Sequence, residues 1–222
     1  MYPILLNAKN EGYNFQEFAA RFMQICEEHR SHGRALVFAF VLYDLENAHI
    51  AKVLKDEDYW QSLDTISGNF LTVFSIHRKP IKRGRNLLNN DNVLYHMTTV
   101  RDYHNPSETS NSLIQKYFGA IGIKYPAVLF FQVRGEEVLD YTLIELDEEN
   151  IEPAFHELKK YIKTAVDTLK MITEENRGNS KEIFDLVKDA VRAERTIKVT
   201  SRRVRKVTSI GELVSAIVGL KG

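Results

Sequence analysis

The spacing of apolar positions along the chain predicts an α/β protein built around one central strand. The uninterrupted apolar run from Ala35 to Leu42 has the length of a strand, and such a run is typical of a strand buried on both faces. Apolar positions three and four apart predict an amphipathic helix from Phe15 to His29, which Gly33 ends. The run at 35–42 is therefore expected in the middle of a sheet.

The rest of the pattern alternates strands and helices. A strand, helix, strand unit is connected by a right-handed crossover, so 35–42 and 70–76 are expected to run parallel. The short link 134–137 instead predicts an antiparallel hairpin. The acidic cluster 56–58 is expected to bend or break the helix in which it lies. Strands are predicted at 4–6, 70–76, 127–133 and 138–146, and further helices at 50–66, 113–121, 151–169, 183–191 and 210–217.

Two segments break this alternation. Residues 78–109 show no clear period and are rich in turn-forming proline, glycine and asparagine, so they are interpreted as a long insertion, of a kind that is often functional or disordered. A second break falls at 176–179, where asparagine and glycine interrupt the helical pattern. The sequence thus predicts one domain over 1–175 containing the insertion 78–109, followed by a basic, helical appendage over 176–222.

Composition narrows the class of protein. With 222 residues and 44% apolar content, the chain can bury a full core in one domain. No apolar run approaches the roughly 20 residues that span a bilayer, and residues 1–7 lack the features of a signal peptide. The single cysteine, Cys26, excludes an internal disulfide and a dithiol redox cycle within the chain. A cytoplasmic protein without a membrane partner is expected.

The most specific stretch runs from Gly119 to Glu137. A helix end leads through Gly122-Ile123-Lys124-Tyr125-Pro126 into a buried-type strand, and Gly135-Glu136 turns into the next strand. Together with the order of elements over residues 1–172, this stretch resembles the thioredoxin-like superfamily. The resemblance implies an α/β three-layer sandwich, with a mixed central sheet and helices on both faces, here carrying a long insertion and added C-terminal helices. It also implies a cis proline at Pro126, beside the active site.

The resemblance does not extend to the family's redox chemistry. In that family the reactive dithiol lies where the central strand meets the next helix, whose N-terminus lowers the thiolate pKa. Here that place is 44–48, which holds two carboxylates and neither a thiol nor a hydroxyl. The chain is therefore predicted to be a divergent, redox-inactive member, without enzyme activity or cofactor. What remains is the groove in which family members hold an extended peptide. Its predicted residues are Asp44, Leu45, Glu46, Tyr125 and Pro126.

The charge distribution supplies an alternative function. Residues 195–222 hold seven basic and one acidic side chains, whereas 1–194 hold 23 basic and 29 acidic ones. Two basic runs can neutralise phosphates, which makes a nucleic-acid-associated protein the alternative if both lie on one face. Neither run contains the aromatic residues that stack on single-stranded bases. Contact with an acidic partner, including the stretch 145–152 of the same chain, is the competing interpretation. The two runs are Arg78, Lys79, Lys82, Arg83 and Arg85, and Lys198, Arg202, Arg203, Arg205 and Lys206.

Other candidate sites have simpler explanations. Cys26 shares an apolar helix face with Phe22 and Ile25, so a buried structural thiol is expected rather than a metal ligand beside His29 and His32. Asp44 and Glu46 are expected to cap the following helix rather than act as an acid/base pair. The partner is predicted to be another protein or a second copy of the chain. His77, His96 and His104, with Asp91 or Asp102, could gather around a metal ion, but their separations match no known ligand spacing, so exposed loop side chains are expected. The apolar faces of the last two helices are expected to cover either the domain itself or a second copy of the chain. These faces are Ile183, Phe184 and Val187, and Leu213, Val214 and Ile217.

Overall fold

The computed structural model of the protein describes residues 1–7, 15–33, 35–43, 56–77, 98–101, 126–135, 137–146 and 151–195. Within these ranges the strands are β1 (Tyr2–Asn7), β2 (Val37–Leu42), β3 (Leu71–His77), β4 (Thr98–Arg101), β5 (Ala127–Arg134) and β6 (Glu137–Glu145). The helices there are α1 (Phe15–Ser31), α2 (Glu57–Ser67), α3 (Ile151–Lys170) and α4 (Ser180–Glu194), with a 3-10 helix at Glu174–Gly178.

The strands form one six-stranded sheet in the order β4-β1-β3-β2-β5-β6. β1 runs parallel to both β3 and β4, and β2 runs parallel to β3. β5 pairs antiparallel with β2, and β6 pairs antiparallel with β5. The protein is therefore an α/β protein with a mixed, open sheet. The parallel pair of β2 and β3, the antiparallel hairpin and the central position of β2 confirm the predictions made for them.

One face of β2 packs against α1 through aromatic rings. Successive strand residues alternate between faces, and Phe38 and Phe40 share the face that α1 covers. The Phe40 ring centre lies 5.5 Å from that of Phe22 in α1, 5.1 Å from that of Phe74 in β3 and 5.5 Å from that of Phe131 in β5. All five of these side chains are fully buried. Because aromatic pairs at such separations add about 0.5–1.5 kcal/mol each to the gain from burial, this cluster fixes α1 to the sheet.

The opposite face of β2, formed by Val37, Ala39 and Val41, belongs to a largely aliphatic core. Helices α2, α3 and α4 all contribute to it. The apolar face of α4, which was expected to cover either the domain or a second copy, therefore covers the domain. The helical residues of this core are Trp60, Leu63, Ala154, Phe155, Leu158, Tyr161, Ile162, Ala165, Val166, Leu169, Ile183, Phe184, Val187 and Val191.

Local chemistry sets three helix boundaries. Asp56 begins α2 by accepting a hydrogen bond from the Tyr59 amide at 3.2 Å, so a helix starts within the acidic cluster. Residues 50–55, the first part of the predicted helix, lie outside the described residues, and the bend or break stays a prediction. Asn179 caps α4, because its side chain accepts from the Glu182 amide at 3.4 Å. Gly33 follows α1 with a φ of 66°, which glycine adopts without steric cost.

The structure differs from the sequence-based expectation in one strand. β4 lies inside the predicted insertion 78–109 and pairs with β1, so this insertion contributes to the sheet. A strand of four residues holds only two repeats of the alternation between apolar and polar positions. Two repeats are too few to indicate a strand. The predicted helices at 113–121 and 210–217 lie outside the described residues. The predicted division of the chain at residue 175 remains a prediction, although α4 shares the core of α3.

The side-chain amide of a buried glutamine joins β5 to the end of α1 and to the start of α4. Gln132, fully buried in β5, donates through Nε2 to the carbonyl oxygens of Leu36 at 2.6 Å and Ser180 at 3.3 Å. Its Oε1 accepts from Arg30 Nη2 and from the Val133 amide, each at 3.1 Å. All four hydrogen-bonding positions of the amide are used. A register shift between Gln132 and Val133 in the β5–β6 pairing frees the Val133 amide for this bond.

Replacing Gln132 with leucine preserves much of the side-chain volume. It removes the hydrogen-bonding partner of four groups: the Leu36 and Ser180 carbonyls, Arg30 Nη2 and the Val133 amide. We expect Gln132→Leu to lower the free energy of unfolding by about 2–4 kcal/mol, because buried donors and acceptors become unsatisfied. Urea denaturation followed by circular dichroism measures this change. The control is Gln61→Leu on the exposed side of α2, for which a change within about 0.5 kcal/mol is expected. Equal stability of the two variants would show that the network contributes little.

A second comparison tests whether α4 is integral to the core. Phe184 is fully buried, whereas Leu186, two residues later, is 51% exposed. Phe184→Ala should lower the free energy of unfolding by about 3–5 kcal/mol because it opens a cavity. Leu186→Ala should change it by less than about 0.5 kcal/mol. If Phe184→Ala instead melts α4 alone, seen as a separate early transition, the helix is an independent appendage.

Candidate functional site

The end of β2 and the beginning of β5 meet at one edge of the core. The antiparallel register pairs Leu42 with Ala127, so the next residues outward, Tyr43 and Pro126, lie beside each other. The Pro126 carbonyl accepts a hydrogen bond from the Leu146 amide at 2.8 Å, which extends the β5–β6 hairpin by one step. This hydrogen bond fixes Pro126 against the sheet.

A shallow hollow opens to solvent at this point. Seven residues line it: Val41, Tyr43, Pro126, Leu146, Ala154, Phe155 and Leu158. The exposed lining is apolar, and the space open to a water-sized molecule is only about 10 Å³, which is about the room of a single water molecule. Ligand pockets for small molecules usually hold about 300–1,000 Å³ and carry a few polar groups that orient the ligand. The hollow is therefore a shallow apolar depression and not a small-molecule pocket.

One wall of the hollow is a packed aromatic group. The ring centre of Phe155 in α3 lies 4.1 Å from that of Tyr59 in an edge-on arrangement, and Lys159 Nζ lies 4.7 Å from the Tyr59 ring centre. Burial, and secondarily the Asp56 carboxylate, raises the pKa of the Tyr59 hydroxyl well above its ordinary value. Tyr59 is thus a neutral phenol at physiological pH, and its ring supports Phe155.

The residues that follow Tyr43 and Leu146 in the sequence are rich in carboxylates. Asp44 and Glu46 follow Tyr43 in the chain, and the stretch 147–149 with Glu152 follows Leu146. Within the described residues, Glu145 next to Leu146 pairs with Arg195, whose Nη2 lies 3.7 Å from Glu145 Oε2. Arg195 lies just before the basic run 198–206. That run and residues 147–150 lie outside the described residues, so the pairing of the acidic stretch 145–152 with the basic tail stays a prediction.

The only sulfhydryl of the chain lies away from this hollow. Cys26 is buried on α1, on the opposite face of the sheet, and burial raises its pKa well above the ordinary value. The prediction of a buried structural thiol is confirmed. Its neighbour His29 is also buried, with Nδ1 2.5 Å from Thr72 Oγ1, whereas His32 is exposed. In the part of the chain that the structure describes, no three His, Cys, Asp or Glu side chains gather as metal ligands would.

The structure describes one of the five predicted groove residues, Pro126. Asp44, Leu45, Glu46 and Tyr125 lie outside the described residues, as do both basic runs of the nucleic-acid alternative: Arg78, Lys79, Lys82, Arg83 and Arg85, and Arg202, Arg203, Arg205 and Lys206.

Sequence reasoning missed six residues that line the hollow with Pro126. Val41 and Tyr43 directly precede the predicted Asp44, and the other four are Leu146, Ala154, Phe155 and Leu158. Two signals in the sequence pointed to them. The hairpin register aligns the residue after β6 with the one before β5, and the first apolar positions of α3 lie on its core face.

Comparisons with known proteins identify no relative. No family model matches the chain, no curated protein matches it, and no solved structure matches it. In the described segments, no helix combines the length and apolar character needed to cross a membrane.

The burial of Cys26 predicts low reactivity towards thiol reagents. Since the reagent reaches a buried thiol only after local opening, native protein should react with Ellman's reagent at least about 100-fold more slowly than an exposed thiol. The comparison is Ser31→Cys, which places an exposed thiol at the end of the same helix. In that variant one thiol should react fast and the other slowly, and both should react fast in denaturant. Equal rates for both thiols in native protein would contradict this.

Proposed function

We propose that the protein is a non-catalytic, thioredoxin-like protein-binding module, which holds a segment of another polypeptide in the hollow at Pro126. The observation that carries this proposal is the meeting of Pro126 with the end of the central strand at an apolar, solvent-open hollow. In the family that the sequence resembles, an extended peptide is held at the corresponding place.

The fold supports the thioredoxin-like part of the proposal. The described elements follow the expected order of strand, helix, strand, helix and strand. Beyond residues 102–125, which the structure does not describe, come a proline-led hairpin and a helix. α1 packs on one face of the sheet, while α2 and α3 pack on the other. These features agree with a three-layer arrangement in which β4 and α4 are additions.

The chemistry of the described residues supports a binding role without redox catalysis. Thiol catalysis needs a thiolate at a partly exposed, electropositive position, whereas Cys26 is buried with a raised pKa on the far face of the sheet. A protein that keeps its single thiol in this state also suits a reducing compartment such as the cytoplasm.

The hollow also defines the chemistry of its partner. An apolar lining favours an aliphatic or aromatic side chain, because their contact removes apolar surface of both from water. The acidic sequence on both sides of the hollow favours lysine or arginine in the flanking positions of the partner. The partner segment is therefore expected to carry apolar residues between basic ones.

Selection of displayed peptides on the full-length protein tests this proposal. Peptides of about twelve residues should be enriched for an apolar side chain flanked by lysine or arginine. When the selected peptides are titrated into isotope-labelled protein, the amide signals of Ala127, Leu146 and Ala154 should shift. Pro126→Ala should weaken binding about tenfold, equivalent to about 1.4 kcal/mol.

Pro153→Ala is the matched control, because Pro153 is exposed in the first turn of α3 and does not line the hollow. Its affinity for the peptide should equal that of the unmodified protein. Shift mapping on the unmodified protein does not depend on how well either variant folds. Shifts confined to another surface, or the absence of any enriched peptide, would overturn the proposal.

A further inference from the structure

Strand β6 forms one edge of the described sheet. Among the strands that the structure describes, β6 is the last in the sheet and pairs only with β5. It is nine residues long and contains neither proline nor glycine. An edge strand of this length presents backbone groups to which a strand of another molecule can pair, and proteins commonly block such edges. A means of blocking is therefore expected at β6.

The register of the β5–β6 hairpin shows which backbone groups of β6 point to this edge. The Leu146 amide donates to the Pro126 carbonyl at 2.8 Å, so residue 146 directs its backbone amide towards the neighbouring strand. In an antiparallel pair, alternate residues bond to the same neighbour. The register shift of this hairpin lies before residue 140, so the alternation holds over 140–146. The amides of Tyr141 and Leu143 therefore point away from β5.

The side chain of Asp140 occupies one of these outward amides. Its Oδ1 accepts a hydrogen bond from the Tyr141 amide at 2.8 Å, so this donor is bonded within its own strand. Its Oδ2 pairs with Lys188 Nζ of α4, which also lies 3.2 Å from Asp185 Oδ1. Only 32% of the Asp140 side chain and 19% of the Lys188 side chain are exposed. The carboxylate is therefore held from α4 while it occupies the amide.

We propose that Asp140, held by Lys188, blocks the β6 edge against antiparallel pairing with a second copy of this chain. A strand that joins this edge needs the Tyr141 amide as a donor, and Asp140 already occupies it. A second copy is the partner that this edge fits, because β6 is self-complementary. In a twofold pairing centred on Leu143, the half-buried leucines of the two copies lie opposite each other. This inference does not depend on the hollow at Pro126.

The choice of residue at position 140 supports this role. Aspartate is depleted in strands, whereas Val138 and Thr142, its neighbours on the same face of β6, are β-branched. That face continues to Ile144 in the core, so Asp140 is an inward-pointing charge. A valine there would suit the strand and avoid the cost of partly burying a charge pair. Inward-pointing charges and bulges both protect edge strands, and the register shift adjoins Asp140.

Sedimentation equilibrium of the full-length protein tests this role. Asp140→Val removes the carboxylate but keeps a strand-forming side chain, so the Tyr141 amide becomes available to a second copy. The dimer dissociation constant should fall at least about tenfold relative to the unmodified protein, since each copy gains one hydrogen-bonding position. Asp167→Val on α3 is the matched control, because its carboxylate also pairs with a lysine, Lys170, at 3.7 Å. This control should leave self-association unchanged.

A second variant separates the occupied amide from the loss of charge. Asp140→Asn keeps a side-chain oxygen that can accept from the Tyr141 amide. Its dimer dissociation constant should therefore stay within about threefold of that of the unmodified protein. Self-association as strong as in Asp140→Val would show that the occupied amide does not block the edge, and the proposal would be wrong. Equal self-association of Asp140→Val and Asp167→Val would overturn it as well.

Amide hydrogen exchange locates the contact. In dilute unmodified protein the Leu143 amide should exchange at least about 100-fold faster than that of Thr142, which bonds to β5. Equal protection of the two amides there would show that the edge is already covered, and this measurement does not require any variant to fold. In Asp140→Val, protection of Leu143 should rise with protein concentration. Self-association that leaves the Leu143 amide unprotected would place the contact on another surface and overturn the proposal.

Discussion

The described architecture depends on the burial of β2 on both of its faces. Its odd-numbered and even-numbered residues meet different partners: Val37, Ala39 and Val41 pack with α2, α3 and α4, while Phe38 and Phe40 pack with α1. Because side chains of a strand alternate strictly, a shift of one residue in its pairing would exchange these two sets. The aromatic set would then lie in the space shaped for aliphatic side chains, so the register of β2 is fixed by both layers at once.

That register also creates the hollow. With Phe40 opposite Leu129 and Leu42 opposite Ala127, the strands end together, and Pro126 lies next to Tyr43. A proline lacks the amide hydrogen that would continue the ladder, so its carbonyl group alone bonds to Leu146. At this edge the sheet thus ends in apolar residues, and the first turns of α3 pack beside them. The hollow follows from core packing and needs no additional element.

The sequence predicted those elements whose patterns are long and uniform. The apolar run at 35–42 predicted the central strand because an uninterrupted apolar run of strand length, preceded by Gly33, is typical of a strand buried on both faces. β4 could not be predicted, because four residues such as Thr98–Arg101 carry no period and their pairing with β1 is a tertiary event. The role of Gln132 could not be predicted either. The carbonyl groups to which its side chain donates are brought near it only by the tertiary structure. Pro126 was found through its local motif, whereas Phe155 and Leu158 join the site only through the packing of α3.

The pairing of β2 with β5 has a consequence for the folding rate. Strands β5 and β6 and helices α3 and α4 are consecutive in the chain and pack on one another, so they assemble through short loop closures. Phe38 and Phe131, in contrast, come from distant parts of the chain, and joining them closes a long loop at an entropic cost. Contacts of this range slow folding. The C-terminal half is therefore expected to gain structure first, with insertion of β2 between β3 and β5 as the late, rate-limiting event.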